Sequence, residues 1–225
     1  MVTQTLKSTA FIFDLDGTLI DTTPQVVKFW TDIALENNLN PAQILETSHG
    51  RRTIETLQRW VPHLATMEHV NELEGRLCLE KEGVTVLPGV MDLLQSIPAE
   101  DWTVNTAGTM LMATSRLRQF DIQVPKQMMT GDMLTQGKPH PEGYLKAAAI
   151  LGKDPKDCLV FEDAPSGVMA AVAAGMQCIA CTTTHTLEQL KEAGATVVVD
   201  RLDSVKVERN EDGSYSTIIE NAYDL

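Results

Sequence analysis

The chain has 225 residues, of which 43% are hydrophobic and 22% are charged. This composition excludes a disordered tail, a collagen-like fibre and a small disulfide-stapled protein, and the length allows one large domain or a domain with a smaller insert. The 31 acidic residues outnumber the 18 basic residues and give a net charge of -13, so nucleic acid and anionic membranes are poor candidate partners.

Short apolar runs alternate with helical patterns along most of the chain. We predict strands at residues 10–13, 102–104, 126–130, 158–161, 177–181 and 196–199. We predict helices between them at residues 110–120, 141–151, 165–174 and 187–193. This alternation is typical of βαβ units, so we expect an α/β fold with a parallel sheet that is covered on both faces.

Residues 22–85 interrupt this alternation because they carry helical patterns only, at 24–37, 41–46, 53–60 and 67–82. We therefore predict an inserted helical domain at 22–85, while residues 1–21 and 86–225 form the sheet domain. The end of the chain alternates around a Gly-containing turn, which predicts a terminal β-hairpin.

The four cysteines show no disulfide framework, and no stretch reaches the ~18 to 20 apolar residues of a membrane helix. Cys178 and Cys181 lie three apart in a predicted strand and point to opposite faces, so we expect core residues and not half of a zinc or redox site. We expect a cytoplasmic monomer with no membrane partner.

Two carboxylates follow the first predicted strand, at Asp14 and Asp16. Their spacing points both side chains the same way while Leu15 points back into the core. Open α/β sheets bind ligands outside the carboxyl ends of their strands, so this edge is the expected site. A solvated turn or helix cap is the alternative for an isolated Asp-x-Asp pair.

Three later strand ends add further polar groups to the same edge. Thr106 and Ala107 lie in a loop of small residues whose hydroxyl and N–H groups suit an anion. Lys138 precedes a predicted helix, and Glu162 and Asp163 follow the strand at 158–161. Separately, Lys138 would be a solvated charge and Asp163 a helix cap, but neither alternative explains the whole set.

In order and spacing, these four motifs resemble those of the haloacid dehalogenase superfamily. The resemblance implies a Rossmann-like core, and the insert resembles that family's small helical cap of the first type. It implies that Asp14 attacks phosphorus to form an aspartyl phosphate, while Asp16 serves as general acid and then as general base. An acid at position 16 favours phosphotransfer over dehalogenation.

The same resemblance implies a Mg²⁺ ion, because crowded carboxylates and a phosphate repel one another without a cation. Its expected ligands are the Asp14 carboxylate, the Asp16 backbone carbonyl and the Asp163 carboxylate, with Glu162 as a further candidate. Thr106, the Ala107 N–H and Lys138 would hold the transferring phosphoryl group.

The predicted insert has one notably polar loop, at residues 48–53, in which His49, Arg51 and Arg52 could bind substrate hydroxyls or phosphate. Solvated arginines beside a helix start are the alternative. Further similarity over most of the chain, including Ser48-His-Gly50 with Arg52 and residues 136–142 and 160–165, is to the fungal glycerol phosphate and 2-deoxyglucose 6-phosphate phosphatases. The loop at 105–109 departs from that pattern, since it reads Asn-Thr-Ala-Gly-Thr.

The resemblance therefore implies a Mg²⁺-dependent phosphatase that acts on the monophosphate of a small polyol or sugar. Two alternatives stay open. A sugar phosphomutase of the β-phosphoglucomutase kind would share every catalytic residue named above. A catalytically silent binding or regulatory protein could also use this fold.

Overall fold

A computed structural model describes residues 1–224 of the chain. Its strands, in chain order, are β1 (Val2–Ser8), β2 (Ala10–Phe13), β3 (Ile20–Asp21), β4 (Thr85–Val86), β5 (Trp102–Val104), β6 (Cys158–Glu162), β7 (Gln177–Cys181), β8 (Val197–Val199), β9 (Val205–Arg209) and β10 (Tyr215–Ala222). Its α-helices are α1 (Thr23–Glu36), α2 (Pro41–Ser48), α3 (Thr53–Trp60), α4 (Met67–Leu77), α5 (Val90–Gln95), α6 (Met110–Gln119), α7 (Glu142–Leu151), α8 (Pro165–Ala173) and α9 (Leu187–Glu192).

The central sheet has five parallel strands in the order β5-β2-β6-β7-β8, which confirms the predicted α/β fold. Strand β2 lies between β5 and β6, and its residue Phe13 is level with Val104 on one side and with Phe161 on the other. The chain therefore reverses its direction of winding at β2. Such switch points are where open α/β sheets form their ligand crevices.

Alternate residues of each strand enter two hydrophobic clusters on opposite faces of this sheet. Phe11, Phe161 and Cys181 belong to one cluster, and Ile12 and Cys178 belong to the other. This arrangement confirms that the two cysteines are buried strand residues on opposite faces. Helices on both faces explain why the strands read as continuous apolar runs.

The predicted terminal hairpin is present as β9 and β10, and it pairs with β1 in a separate antiparallel sheet of three strands. Strand β1 was not predicted, because its residues are mostly polar and exposed. Tyr215 of β10 is fully buried against Phe11, with ring centroids 5.1 Å apart, so the hairpin closes one end of the core.

Helices α1 to α4 form between residues 23 and 77 and share a third hydrophobic cluster of their own, which includes Trp30, Ile44 and Leu57. The chain enters and leaves this region through the short antiparallel pair β3 and β4, in which Ile20 is opposite Val86. In the described part of the chain, each helix is too short or too polar to cross a membrane.

The predicted strand at residues 126–130 is wrong, because only Met129 bridges to Asn105 next to β5. The Thr103 hydroxyl donates to the Gln127 carbonyl at 2.7 Å, so a side chain occupies a group that a β-ladder would use. Helix α4 ends at Leu77 and not near residue 82, since the Arg116 guanidinium binds the Leu77 carbonyl at 2.8 Å.

Candidate active site

Asp14 and Asp16 follow β2 at the carboxyl edge of the sheet, and Leu15 between them is fully buried. The Asp14 N–H donates to the Phe161 carbonyl at 2.9 Å, which fixes the start of this loop against β6. Asp14 itself is only 4% exposed. The two carboxylates therefore lie at the sheet edge while Leu15 between them points into the core, which is the predicted alternation.

Lys138 connects Asp14 to Glu162 through a buried chain of charges. Its ammonium group donates to Asp14 Oδ1 and, at 2.6 Å, to Glu162 Oε1. All three side chains are at most 6% exposed. Burial alone would lower the Lys138 pKa, but Asp14 and Glu162 raise it above its usual range, so the lysine stays charged.

Glu162 uses both carboxylate oxygens to accept hydrogen bonds from the protein. Its Oε1 atom also accepts from the Tyr144 hydroxyl at 2.8 Å, and Oε2 accepts from the N–H groups of Asp163 and Ala164. A Cβ atom at position 167 would overlap this carboxylate, which explains the glycine there. Four donors leave Glu162 better suited to holding Lys138 than to binding a metal.

Asp163 is held from two sides by hydroxyl groups. The Thr18 hydroxyl donates to Oδ1 at 3.2 Å, and the Thr184 hydroxyl donates to Oδ2. Gly17 has φ +90°, and a Cβ atom there would overlap the Asp163 carboxylate, so glycine is required for both reasons. Burial, followed by repulsion from Glu162, raises the pKa of Asp163 to about 8.

The carboxylates of Asp14, Glu162 and Asp163 offer oxygen atoms that all lie within 4.8 Å of one another. Burial raises the Asp14 pKa well above its usual range, and Glu162, Asp163 and Asp16 add to that rise against the opposing effect of Lys138. Asp14 and Asp163 are the two of these carboxylates that suit a hard divalent cation such as Mg²⁺, and the three acids together carry more negative charge than one lysine balances.

Asp16 lies beside this cluster and is bound by two hydroxyl groups. The Thr22 hydroxyl donates to Oδ1 at 2.9 Å, and the Thr106 hydroxyl contacts Oδ2 at 3.4 Å. Burial raises the Asp16 pKa, although Thr22 and the Arg116 charge act in the other direction. A carboxyl group whose pKa is raised is protonated in a larger fraction of molecules near neutral pH, which makes it available as a general acid.

The loop between β5 and α6 presents backbone donors to the same space. The Thr106 hydroxyl accepts from the Gly108 N–H at 3.1 Å, and this bond shapes the turn. Among residues 1–224, the Ala107 N–H has no hydrogen-bond acceptor, which leaves it available to an incoming anion. The structure thus brings Thr106 and Ala107 to Asp14 and Asp16.

A cavity of about 100 Å³ lies between the sheet edge and the inserted helices. Asp14, Asp16 and Thr106 line it from the sheet side, and His49 and Arg51 line it from the insert. The His49 ring also packs edge-on against His185, which follows β7, with centroids 6.1 Å apart.

Arg52 is not brought to this cavity, unlike His49 and Arg51. Its guanidinium donates to the Gly131, Leu134 and Thr135 carbonyls and to Glu55. These bonds attach the insert to the loop that follows β5 and α6. Sequence spacing could not separate the two neighbouring arginines, because the direction of a loop side chain depends on tertiary contacts.

Several contributors to the site were not identified from the sequence. Thr184 follows β7, so the rule that polar residues gather at strand ends would have found it. Tyr144, Glu74 and Arg116 lie on helices, where one polar residue has no distinctive spacing. Arg116 is fully buried and donates to Gln25 of α1 and to the Glu80 carbonyl, so it joins both ends of the insert to α6.

Residues 9–175 match the family model of the haloacid dehalogenase-like hydrolases. The chain is 37% identical to glycerol-1-phosphate phosphohydrolase 2 of Saccharomyces cerevisiae, over 90% of this chain and 86% of that protein. It is 33% identical to the yeast 2-deoxyglucose-6-phosphate phosphatase 1, over 93% of this chain and 94% of that protein. The crystal structure of a hydrolase from Pseudomonas syringae superposes with a TM-score of 0.74 at 28% identity, covering 87% of this chain and 94% of the other.

Proposed function

Since the chain belongs to the haloacid dehalogenase-like hydrolases and is a phosphoric monoester hydrolase of that family, we propose that it hydrolyses the monophosphate of a small polyol or sugar by a Mg²⁺-dependent route. Its substrate would be of the glycerol phosphate or 2-deoxyglucose 6-phosphate type. The observation that carries this proposal is the buried Asp14, which is paired with Lys138 and faces the cavity beneath the insert.

The proposed first step is the attack of an Asp14 carboxylate oxygen on the phosphorus atom. The bond from phosphorus to the alcohol oxygen breaks, and Asp16 gives its proton to that oxygen, which releases the free alcohol. Asp16 then takes a proton from a water molecule that attacks the aspartyl phosphate. Inorganic phosphate leaves, and the Asp14 carboxylate and the Asp16 proton are restored.

Other groups of the chain would position and neutralise the phosphoryl oxygens. Lys138, the Thr106 hydroxyl and the Ala107 N–H would bind them, and Glu162 holds Lys138 in position. Asp14, the Asp16 backbone carbonyl and Asp163 would hold Mg²⁺, which would offset the negative charge of carboxylates and phosphate when bound. Glu162 is a poorer ligand, because protein donors already occupy both of its oxygens.

We further propose that residues 22–85 act as a cap that covers the substrate and selects its alcohol portion. His49 and Arg51 line the cavity from this cap and can bind substrate hydroxyls. We place the enzyme in the cytoplasm as a monomer, and its four free cysteines support a reducing compartment.

The test is a panel of phosphate monoesters that includes glycerol phosphate, hexitol phosphates and 2-deoxyglucose 6-phosphate, assayed for inorganic phosphate with Mg²⁺. Steady release with a marked preference for one of these compounds is the expected result. Isomerisation of a sugar phosphate, dependent on a bisphosphate primer and with little release, would instead establish a mutase and overturn the proposal.

A further inference from the structure

We infer that Glu74 of the cap makes this site selective for monophosphates, because it places a fixed anion in the substrate cavity where a second phosphate would have to lie. The inference rests on the proposed function and goes beyond it by naming a residue that determines substrate charge. It concerns the end of the substrate remote from Asp14.

Glu74 lies on α4 and is only 3% exposed, although glutamate is rarely buried. Its Oε1 atom accepts from the Thr53 hydroxyl at 2.7 Å, and its Oε2 atom accepts from the Thr109 N–H at 2.8 Å. Thr53 begins α3 of the cap, whereas Thr109 is the residue that caps α6 of the sheet domain. The carboxylate is therefore fixed between the two parts of the chain.

Burial raises the pKa of Glu74, but the bonds from the Thr109 N–H and the Thr53 hydroxyl act in the other direction and favour the charged carboxylate. Helix α6 has 10 residues, and its N-terminal N–H groups present a partial positive charge. The Glu74 carboxylate accepts a hydrogen bond from the Thr109 N–H. The Asp132 carboxylate accepts one from the next backbone N–H, that of Met110, at 3.1 Å. The protein thus fills with its own carboxylates a site that could otherwise bind a phosphate group.

Glu74 also lines the cavity that contains Asp14 and Asp16. A substrate whose phosphate lies at Asp14 must extend its other end towards the cap wall. A hydroxyl group there can donate to a remaining lone pair of the Glu74 carboxylate, whereas a phosphate dianion would be repelled.

The basic groups at the cavity are poorly placed to bind a second phosphate directly. Arg116 lines the same cavity and keeps its charge, but its terminal N–H groups already donate to Gln25, Gln119 and two backbone carbonyls. Arg51 is exposed at the cavity wall, so solvent screens its charge. A neutral polyol end is therefore favoured over a second phosphate.

The experiment uses Glu74→Gln, which keeps the size and an acceptor oxygen but removes the charge. Inhibition constants for fructose 6-phosphate and fructose 1,6-bisphosphate are measured against the hydrolysis of p-nitrophenyl phosphate. We expect the bisphosphate to bind about tenfold or more tightly in the variant, while the monophosphate changes less than about threefold. The matched control is Glu68→Gln, an exposed residue of the same helix, which should change neither constant.

If both inhibition constants change by the same factor, or if neither changes, Glu74 does not discriminate between substrates by their charge. If Glu74→Gln does not fold, the unaltered enzyme still decides the question. Its bisphosphate affinity should be about tenfold or more below its monophosphate affinity, and added salt should change that gap little because the Glu74 charge is buried. Equal affinities would overturn the inference, while a failure to hydrolyse any monophosphate would overturn the proposed function itself.

Discussion

The Lys138 ammonium group lies 2.6 Å from Glu162 Oε1, and this pair is buried directly behind Asp14. Glu162 therefore positions Lys138, the lysine that is proposed to bind phosphate. The Tyr144 hydroxyl shares Oε1 with Lys138, and two backbone N–H groups fix the other oxygen, Oε2. The position of Lys138 consequently depends on groups that belong to β6, α7 and the start of α8.

Replacing Glu162 by Ala should destabilise the protein by about 1 to 3 kcal/mol, because it leaves the buried Tyr144 hydroxyl and two backbone N–H groups without an acceptor, while Lys138 keeps its bond to Asp14. Phosphate release should also fall, since Lys138 would lose the bond that orients it. Chemical denaturation gives the free energy of unfolding. The control is Glu211→Gln in the exposed β9–β10 turn, which should be neutral, and a stable Glu162→Ala protein would contradict the assigned role.

Asp14→Asn should reduce phosphate release at least about a thousandfold, since an amide cannot form the aspartyl phosphate. The measurement is steady-state phosphate release with the best substrate of the panel. Asp121→Asn is the matched control, because Asp121 is exposed and has φ 56°, a conformation that asparagine also tolerates. Undiminished release by Asp14→Asn would show that another group is the nucleophile.

Much of the fold could be predicted because strands such as β2 and β6 are buried on both faces and read as apolar runs. Strand β1 could not, because its order comes from pairing with β10, more than 200 residues away in sequence. The run at 126–130 looked apolar enough for a strand, but side-chain bonding by Thr103 interrupts the ladder.

The site was predictable to the extent that strand ends define it. Asp14, Asp16, Thr106 and Asp163 follow strands of the parallel sheet, which brings them together, whereas Lys138 precedes α7 and reaches Asp14 from there. No comparable sequence rule identifies which residues of the cap face the cavity. Glu74 has the spacing of an ordinary helix surface residue, and only the packing of α4 against α6 makes it a buried anion.

Arg51→Ala should raise KM several-fold and leave the melting temperature nearly unchanged, because Arg51 is exposed at the cavity. Arg52→Ala should instead lower the melting temperature by about 4 to 8 °C, since it removes charged hydrogen bonds to the carbonyls at residues 131–135. Kinetics and thermal unfolding of the two variants, side by side, make each the control of the other. The reverse pattern would show that Arg52 is the substrate contact.

EDTA should abolish phosphate release, and added Mg²⁺ should restore it, because the Asp14, Glu162 and Asp163 carboxylates carry more negative charge than Lys138 balances. Activity is measured before and after dialysis and then against Mg²⁺ concentration. Ca²⁺, which prefers more ligands and longer bonds, is the matched control and should restore little activity. Full activity in EDTA would contradict the proposed metal site.

The metal-free protein should lose stability as the pH rises from about 4 to 8. The pKa of Asp163 is raised from 3.8 to about 8, first by burial and then by Glu162. Between these values the folded chain retains a proton that the unfolded chain has released. The stabilising contribution of this proton is therefore full below about pH 4 and is lost as the pH passes through about 8.

Bound Mg²⁺ would take the place of that proton, so it should raise the melting temperature more at pH 8 than at pH 5. Thermal unfolding in EDTA and in Mg²⁺ at several pH values measures both effects. Asp163→Asn lacks the titrating group, so its melting temperature should vary less with pH and respond less to Mg²⁺. If that variant retained the full pH dependence and the full Mg²⁺ response, Asp163 could be neither the group that titrates nor a ligand of the metal.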